Sequence, residues 1–339
     1  MSAGTAARPA GPGRGASGRG RTGRGRTGGG TTGPDRAGDR QPATLLHRLL
    51  GRQPLGALFG APYLLFVLAV FAVPLAFAVW MSVHDYFFAA PGADVDRPFT
   101  GLANFTAVLA DPAVQRSFLN IVVFLVINVP LTVVLGLLLA VALDAPLRGL
   151  TFFRVAYYVP YITSSVAVVG VWLFLFGGDG LVNRLLGPLG LVPDPPWLVN
   201  SAWAMPMIAV FVTWKQLGFY ILLYLAALQA VPKELHESAA TDGAGRVRRF
   251  WSVTVPGVRP ATLLVVLLST IVGANLFTEP YLLTGGGGPD GASATPVLLL
   301  YQRGIEQNEP GEAAAIGILL VVLVLAVSLV NRRLVGGER

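Results

Sequence analysis

The side chains able to do chemistry sit in two places, inside long apolar runs and in one polar segment between them. The run Ala202–Leu228 holds Thr213, Trp214, Lys215, Gln216, Tyr220 and Tyr224. The run Thr262–Leu283 holds Ser269, Thr270, Asn275, Thr278 and Glu279. Polar groups among apolar residues of this length are costly, and they face a cavity or a partner helix. Aromatic faces beside amides and hydroxyls suit a sugar, which stacks by its C–H face and hydrogen-bonds by its hydroxyls. Two plainer roles compete. Ser and Thr serve as small helix-packing groups, while Lys215 and Glu279 can snorkel toward opposite interfaces. Asn128, beside Pro130, reads as structural.

The same inventory excludes other chemistry. There is no cysteine, hence no disulfide, thiolate metal site or cysteine nucleophile. His47, His84 and His236 lie far apart, and none has a metal-ligand spacing. No paired carboxylates or Ser-His arrangement marks an active site. The only lysines are Lys215 and Lys233, and neither follows a glycine-rich strand–helix turn, so the chain has no phosphate-binding loop of its own. The Gly285–Gly288 run lacks the following Lys-Ser/Thr and reads as a flexible loop.

The elements that must position these residues are membrane spans. Charged residues are only 13% of the 339-residue chain against 53% hydrophobic, and the mean hydropathy is +0.62. A soluble domain carries about 25% charge, whereas a lipid-facing surface needs none. Six runs are long enough for a helix to cross the bilayer: 58–83, 118–143, 155–176, 202–228, 262–283 and 313–330. They are continuous rather than alternating, which excludes a β-barrel. The first exceeds the apolar length of a signal peptide and reads as an uncleaved span. The expected fold is all-α, a polytopic membrane protein with six transmembrane helices over residues 55–335.

Residues 1–54 are rich in Gly, Arg, Thr and Pro, and ten arginines precede residue 53. Such a segment is expected to be a disordered basic tail, with a short amphipathic stretch near Leu45–Leu50. It contains no aromatic residue for base stacking, so a nucleic-acid role is not expected. With this tail in the cytoplasm, Arg148, Arg154, Lys233, Arg246, Arg248, Arg249, Arg259, Arg332, Arg333 and Arg339 share its side. Only Arg97, Arg116, Arg184 and Arg303 face the other. This bias predicts both termini inside a cell membrane.

The polar segment Val231–Pro256, within a cytoplasmic loop over 231–260, reads as helix, turn, helix. Pro232 opens a first helix, and Glu234 and Glu237 lie near its positive end. Asp242-Gly243 stops it. A second helix is expected over Ala244–Ser252, lying against the membrane with Phe250 and Trp251 as apolar anchors.

This segment resembles the EAA signature of the permeases of binding-protein-dependent ABC importers. The signature runs Glu-Ala-Ala, three residues, Gly, nine residues, Ile-x-Leu-Pro; here it stands as Glu237-Ser238-Ala239, then Gly243, then Val253-Thr254-Val255-Pro256. Asp242 and Ala244 around the glycine fit the sugar-type branch. So do Gly101–Phe105, Phe152–Arg154, Trp214–Phe219, Leu228–Pro232 and Leu283–Pro289, with the first permease of disaccharide and glycerol-phosphate systems nearest in pattern.

The resemblance implies a type I importer permease fold and a bacterial plasma-membrane location. It implies four kinds of partner: a second permease, two ABC ATPase subunits, an extracytoplasmic solute-binding protein and the lipid bilayer. ATP and Mg would be used by the ATPases, with no cofactor or metal bound by this chain. Glu237, Ser238, Ala239, Asp242, Gly243, Ala244 and Pro256 would form the coupling loop that docks on the ATPase. Trp214, Gln216, Tyr220, Tyr224, Ser269, Asn275 and Glu279 would line the solute path, Ser269 and Asn275 nearest the family's positions. The glycine-rich run would lie near the binding-protein contact. The alternative, an ion-coupled secondary transporter, needs intramembrane carboxylates or inverted repeats. Only Glu279 offers the first, and no repeat is evident.

Overall fold

The computed structural model describes residues 54–336 except 94 and 145–148. The expected tail therefore lies outside the described residues up to position 53. The chain divides at Pro62, and the described part of the first unit is only the start of one helix.

The described residues form helices joined by loops, with no strand beyond an isolated bridge between His84 and Phe99. Helix α1 (Pro54–Val67) passes through a π turn at Leu68–Ala72 into α2 (Val73–Ser82). Helix α3 (Ala103–Ala110) leads to α4 (Pro112–Asp144), whose 33 residues span about 50 Å. Next come α5 (Leu150–Ile162), α6 (Ser165–Phe176), α7 (Leu181–Leu186) and α8 (Ala204–Gln229). The polar segment carries α9 (Lys233–Thr241), α10 (Arg246–Arg249), a π turn at Phe250–Thr254 and α11 (Val255–Gly257). The rest is α12 (Arg259–Ala274), α13 (Thr278–Leu283), α14 (Pro296–Tyr301), a π turn at Gln302–Glu306 and α15 (Pro310–Gly336).

Two of the six expected spans are not single helices. The run 155–176 is divided between α5 and α6 at Thr163–Ser164. The run 262–283 is divided between α12 and α13 at Asn275–Phe277. Hydrophobicity marks what is buried in lipid or protein but does not report whether the backbone continues helically. At the second break the carbonyl of Leu276 accepts a 2.6 Å hydrogen bond from the Thr295 hydroxyl. A freed carbonyl in an apolar setting needs such a partner. The second helix of the polar segment also departs from expectation: it starts at Arg246 rather than Ala244, and helical structure continues to Gly257.

Helix α8 is the axis of the bundle. Two thirds of its most apolar stretch is buried, the highest share among the candidate spans, while α2 and α15 are largely exposed. One apolar cluster joins Phe124 of α4 and Trp172 of α6 to Ile208, Phe211 and Val212 of α8 and to Leu276 and Leu283. A second joins Leu137, Ala140 and Leu143 of α4 to Leu217, Tyr220, Ile221 and Tyr224 of α8 and to Val258 and Val265. Close helix approach depends on small residues. At Gly218 an added Cβ would stand 2.2 Å from the Tyr157 carbonyl oxygen and 2.8 Å from the Tyr158 Cα, both backbone atoms of α5.

Gly218→Ala should therefore force α5 and α8 apart and cost about 1–3 kcal/mol, the usual range for overpacking. Thermal unfolding of the detergent-purified chain would show this as a lower midpoint; an unchanged midpoint would contradict the contact.

Candidate functional site

The two broken spans meet at one lysine. Lys215 lies in the middle of α8, and its Nζ is 3.5 Å from an Oε1 of Glu279 in the first turn of α13. The same ammonium donates to the Ser165 hydroxyl, at the first residue of α6. The side chains of Lys215 and Glu279 are 10% and 12% exposed. The expectation that the two could snorkel to opposite interfaces is thus replaced by a direct pair. Chain breaks explain the meeting: each ends a helix at the depth of Lys215 and lets the following segment turn a polar residue toward it.

The other path candidates divide by exposure. Trp214 is 40% exposed, and its ring lies 5.6 Å from the stacked ring of Trp172. Gln216 is half-buried and accepts from the Tyr220 hydroxyl at 3.3 Å. Asn275 is exposed at the break, its amide donating to the Ile271 carbonyl at 2.8 Å. Tyr220 and Tyr224 belong instead to the packed interior, and the Tyr224 hydroxyl donates to Thr262 at 3.2 Å. Ser269 and Thr270 are also buried, each donating to the backbone of its own helix. Thr213 accepts from the Asn128 amide at 2.8 Å, so Asn128 does tie α4 to α8.

The polar loop is built differently. No residue of α9 is buried, and Leu235, Glu237, Ser238 and Asp242 are exposed. Its end is a Schellman motif: Gly243 N–H donates to Ala240 O, and Ala244 N–H to Ala239 O. Gly243 has φ +80°, with nothing within 4 Å of a Cβ built there, so conformation rather than space demands glycine. Ala239 and Ala244 are half-buried, and Pro256 is exposed. The loop's base is fixed to the bundle. Val231, Phe250 and Val255 pack on the cluster around Leu143, Tyr224 and Val258. A Cβ at Gly257 would meet Val231 at 2.9 Å, so the two ends of the loop touch.

Other positions make contacts that the sequence did not foretell. Arg303 in the third π turn pairs with Asp111, with Glu309 at 3.3 Å and with Glu312 at 3.4 Å. The amide of Asn120 donates to the carbonyls of Gly291 and Ala294 at 2.8 and 2.9 Å. The Gly285–Gly288 run, expected to be flexible, is a hydrogen-bonded turn with positive φ at all four residues. Gly287 O accepts from Ser293 N–H, and Gly286 O from the Gln302 amide. Ser165 had one sequence signal, the polar Thr163-Ser164-Ser165 triplet inside an apolar run.

A helical bundle with an exposed, rigidly based helix on one loop and a broken-span polar centre defines a polytopic transport permease. The chain belongs to the family of binding-protein-dependent transport system inner membrane components, whose model matches residues 103–337. It is 34% identical over 282 residues to the arabinooligosaccharides transport system permease protein AraP of Bacillus subtilis, covering 82% of this chain and 88% of that protein. It is 34% identical over 277 residues to the sn-glycerol-3-phosphate transport system permease protein UgpA of Brucella abortus, covering 81% and 92%. In fold it matches a chain of a bacterial ABC transporter that imports the acidic polysaccharide alginate, with a TM-score of 0.68, 21% identity, and coverage of 86% and 98%. The chain is a permease subunit of an ABC importer.

Removing one member of a buried ion pair leaves the other charge uncompensated, which costs about 3–5 kcal/mol. Lys215→Met or Glu279→Gln alone should destabilise the chain by that order, and the double variant should recover most of the loss. A double-mutant cycle in denaturant-monitored unfolding gives the coupling; purely additive effects would show that the pair does not hold.

Proposed function

We propose that this chain carries a saccharide or saccharide-like solute across a bacterial plasma membrane, driven by ATPase subunits that dock on the loop 231–260. The observation that carries this reading is the loop itself. Helix α9 offers Glu237 and its neighbours to a partner, while the loop's base packs on α4, α8 and α12. A push on α9 is then passed to three spans at once. The absence of a phosphate-binding loop in the sequence supports leaving ATP and Mg to those partners. The loop's side, with both termini cytoplasmic, follows from the arginine distribution.

The solute path on this reading runs along the open side of α8 and the second break, past Trp214, Gln216, Asn275 and Glu279. Tyr220, Tyr224 and Ser269 then form the packed layer behind it. A second permease closes the path from the other side, and an extracytoplasmic binding protein delivers the solute. The saccharide class is supported by the arabinooligosaccharide relative and by the stacking and hydrogen-bonding character of the lining. Ion coupling is disfavoured, because Glu279, the one carboxylate at the site, is already engaged by Lys215.

Two measurements test this. Uptake into vesicles by the chain with its second permease, ATPases and binding protein should require ATP; uptake on an ion gradient without ATP would refute the importer mechanism. Glu237→Lys should leave membrane insertion intact and reduce ATPase co-purification by at least about tenfold, the effect of losing roughly 1.4 kcal/mol of docking energy.

A further inference from the structure

The stretch after the Schellman turn, residues 244–260, contains Arg246, Arg248, Arg249 and Arg259 and no carboxylate. Arg246 and Arg248 are exposed; Arg249 is half-buried, and its Nε has no hydrogen-bond partner. Among the described residues no carboxylate stands within ion-pair distance of these three. Two large apolar side chains on the same stretch, four residues apart, are also open: Val247 is 74% exposed and Trp251 65%.

The position of the stretch supplies the second half of the argument. The helical segment Arg246–Gly257 bends by 67° into the helix Arg259–Ala274. A segment at that angle to a membrane-entering helix lies much nearer the bilayer plane than its normal. Phe250 anchors it against the cluster at the ends of α4 and α8, and its ring packs edge-on to Trp251. At the entry of that helix into a bilayer such a segment would lie at headgroup depth, where tryptophan is favoured. Arginines at that depth gain from anionic lipid, and exposed apolar side chains find the acyl boundary.

We propose that Arg246, Arg248 and Arg249, with Val247 and Trp251, form a binding site for an anionic phospholipid headgroup. The arginines hold the headgroup oxyanions, and Trp251 and Val247 seat beside the first methylenes. Helix α9 touches this segment but keeps Glu234 and Glu237 exposed, open to the ATPase. The lipid site needs a bilayer surface and not an ATPase, so it stands or falls apart from the docking role of Glu237.

The test uses the full chain in vesicles carrying either brominated phosphatidylcholine or brominated phosphatidylglycerol. The Trp251 signal is obtained by difference from Trp251→Phe. Brominated phosphatidylglycerol should quench Trp251 more strongly, and the preference should fall roughly fivefold for each arginine replaced in Arg246→Gln, Arg248→Gln and Arg249→Gln. The preference should also fade as ionic strength rises, a readout that needs none of the arginine variants to fold. Equal quenching by the two lipids, or a preference indifferent to salt, overturns the proposal. So does loss of ATPase co-purification in the triple variant without change in lipid preference, which assigns the arginines to the ATPase instead.

Discussion

Inside a bilayer every charge and every free backbone group must find its partner within the protein, and here that requirement converges on Lys215. Two spans are broken, and each break would leave polar groups without water to satisfy them. Ser165 and Glu279, one from the segment after each break, both bond the single ammonium, while Thr295 takes up the Leu276 carbonyl. Without Lys215, Glu279 would be a nearly buried anion with no counter-charge, and an interrupted helix would be hard to sustain at that depth. With it, α6, α8 and α13 are tied at one point, and the polar centre is compatible with apolar packing around it.

That packing links the polar centre to the loop. Lys215 lies between two clusters on α8: one holds Trp172, Phe211 and Leu283, and the one toward the loop holds Leu143, Tyr224 and Val258. Helix α8 runs through both, and its close approach to α5 at Gly218 leaves no room for slack between them. Protein interiors of this density transmit displacement rather than absorb it. On the proposed reading, motion of α9 is delivered through Val231, Phe250 and Val258 into α8, whose middle carries Lys215. The loop and the polar centre are then joined through one rigid element.

Much of this was legible in the sequence because its signals are local. The all-α membrane class follows from apolar runs, and the turn at Gly243 from Asp-Gly at the end of a helix-forming stretch. What stayed hidden depends on tertiary meeting. Lys215 and Glu279 are far apart in sequence, so nothing local says that they pair. The breaks were hidden because Thr163-Ser164 and Asn275–Phe277 lie within runs whose hydropathy never falls far enough to end them. Tyr220 and Tyr224 were legible as polar aromatics in a span, but periodicity cannot tell a packed face from an open one when the helix is apolar all round. The glycine run was legible as unusual, yet its hydrogen-bonded form depends on Ser293 and Gln302, which lie downstream.

The loop shows how one segment can keep two surfaces apart. The Schellman turn reverses the chain between α9 and the arginine stretch, and the positive φ at Gly243 is what permits it. On one side of the turn stand Glu234, Glu237 and Asp242 in an exposed helix; on the other stand three arginines beside Trp251. Opposite charges placed so near in sequence would collapse on each other in a flexible loop. No such pairing joins them here, because α9 stops at Thr241 and Phe250 holds the following helix on the bundle. A side chain at position 243 would strain this turn and weaken the separation. The glycine thus sets which surfaces the loop can offer, and the packing of Phe250 and Val231 sets how firmly any force applied to them reaches the spans.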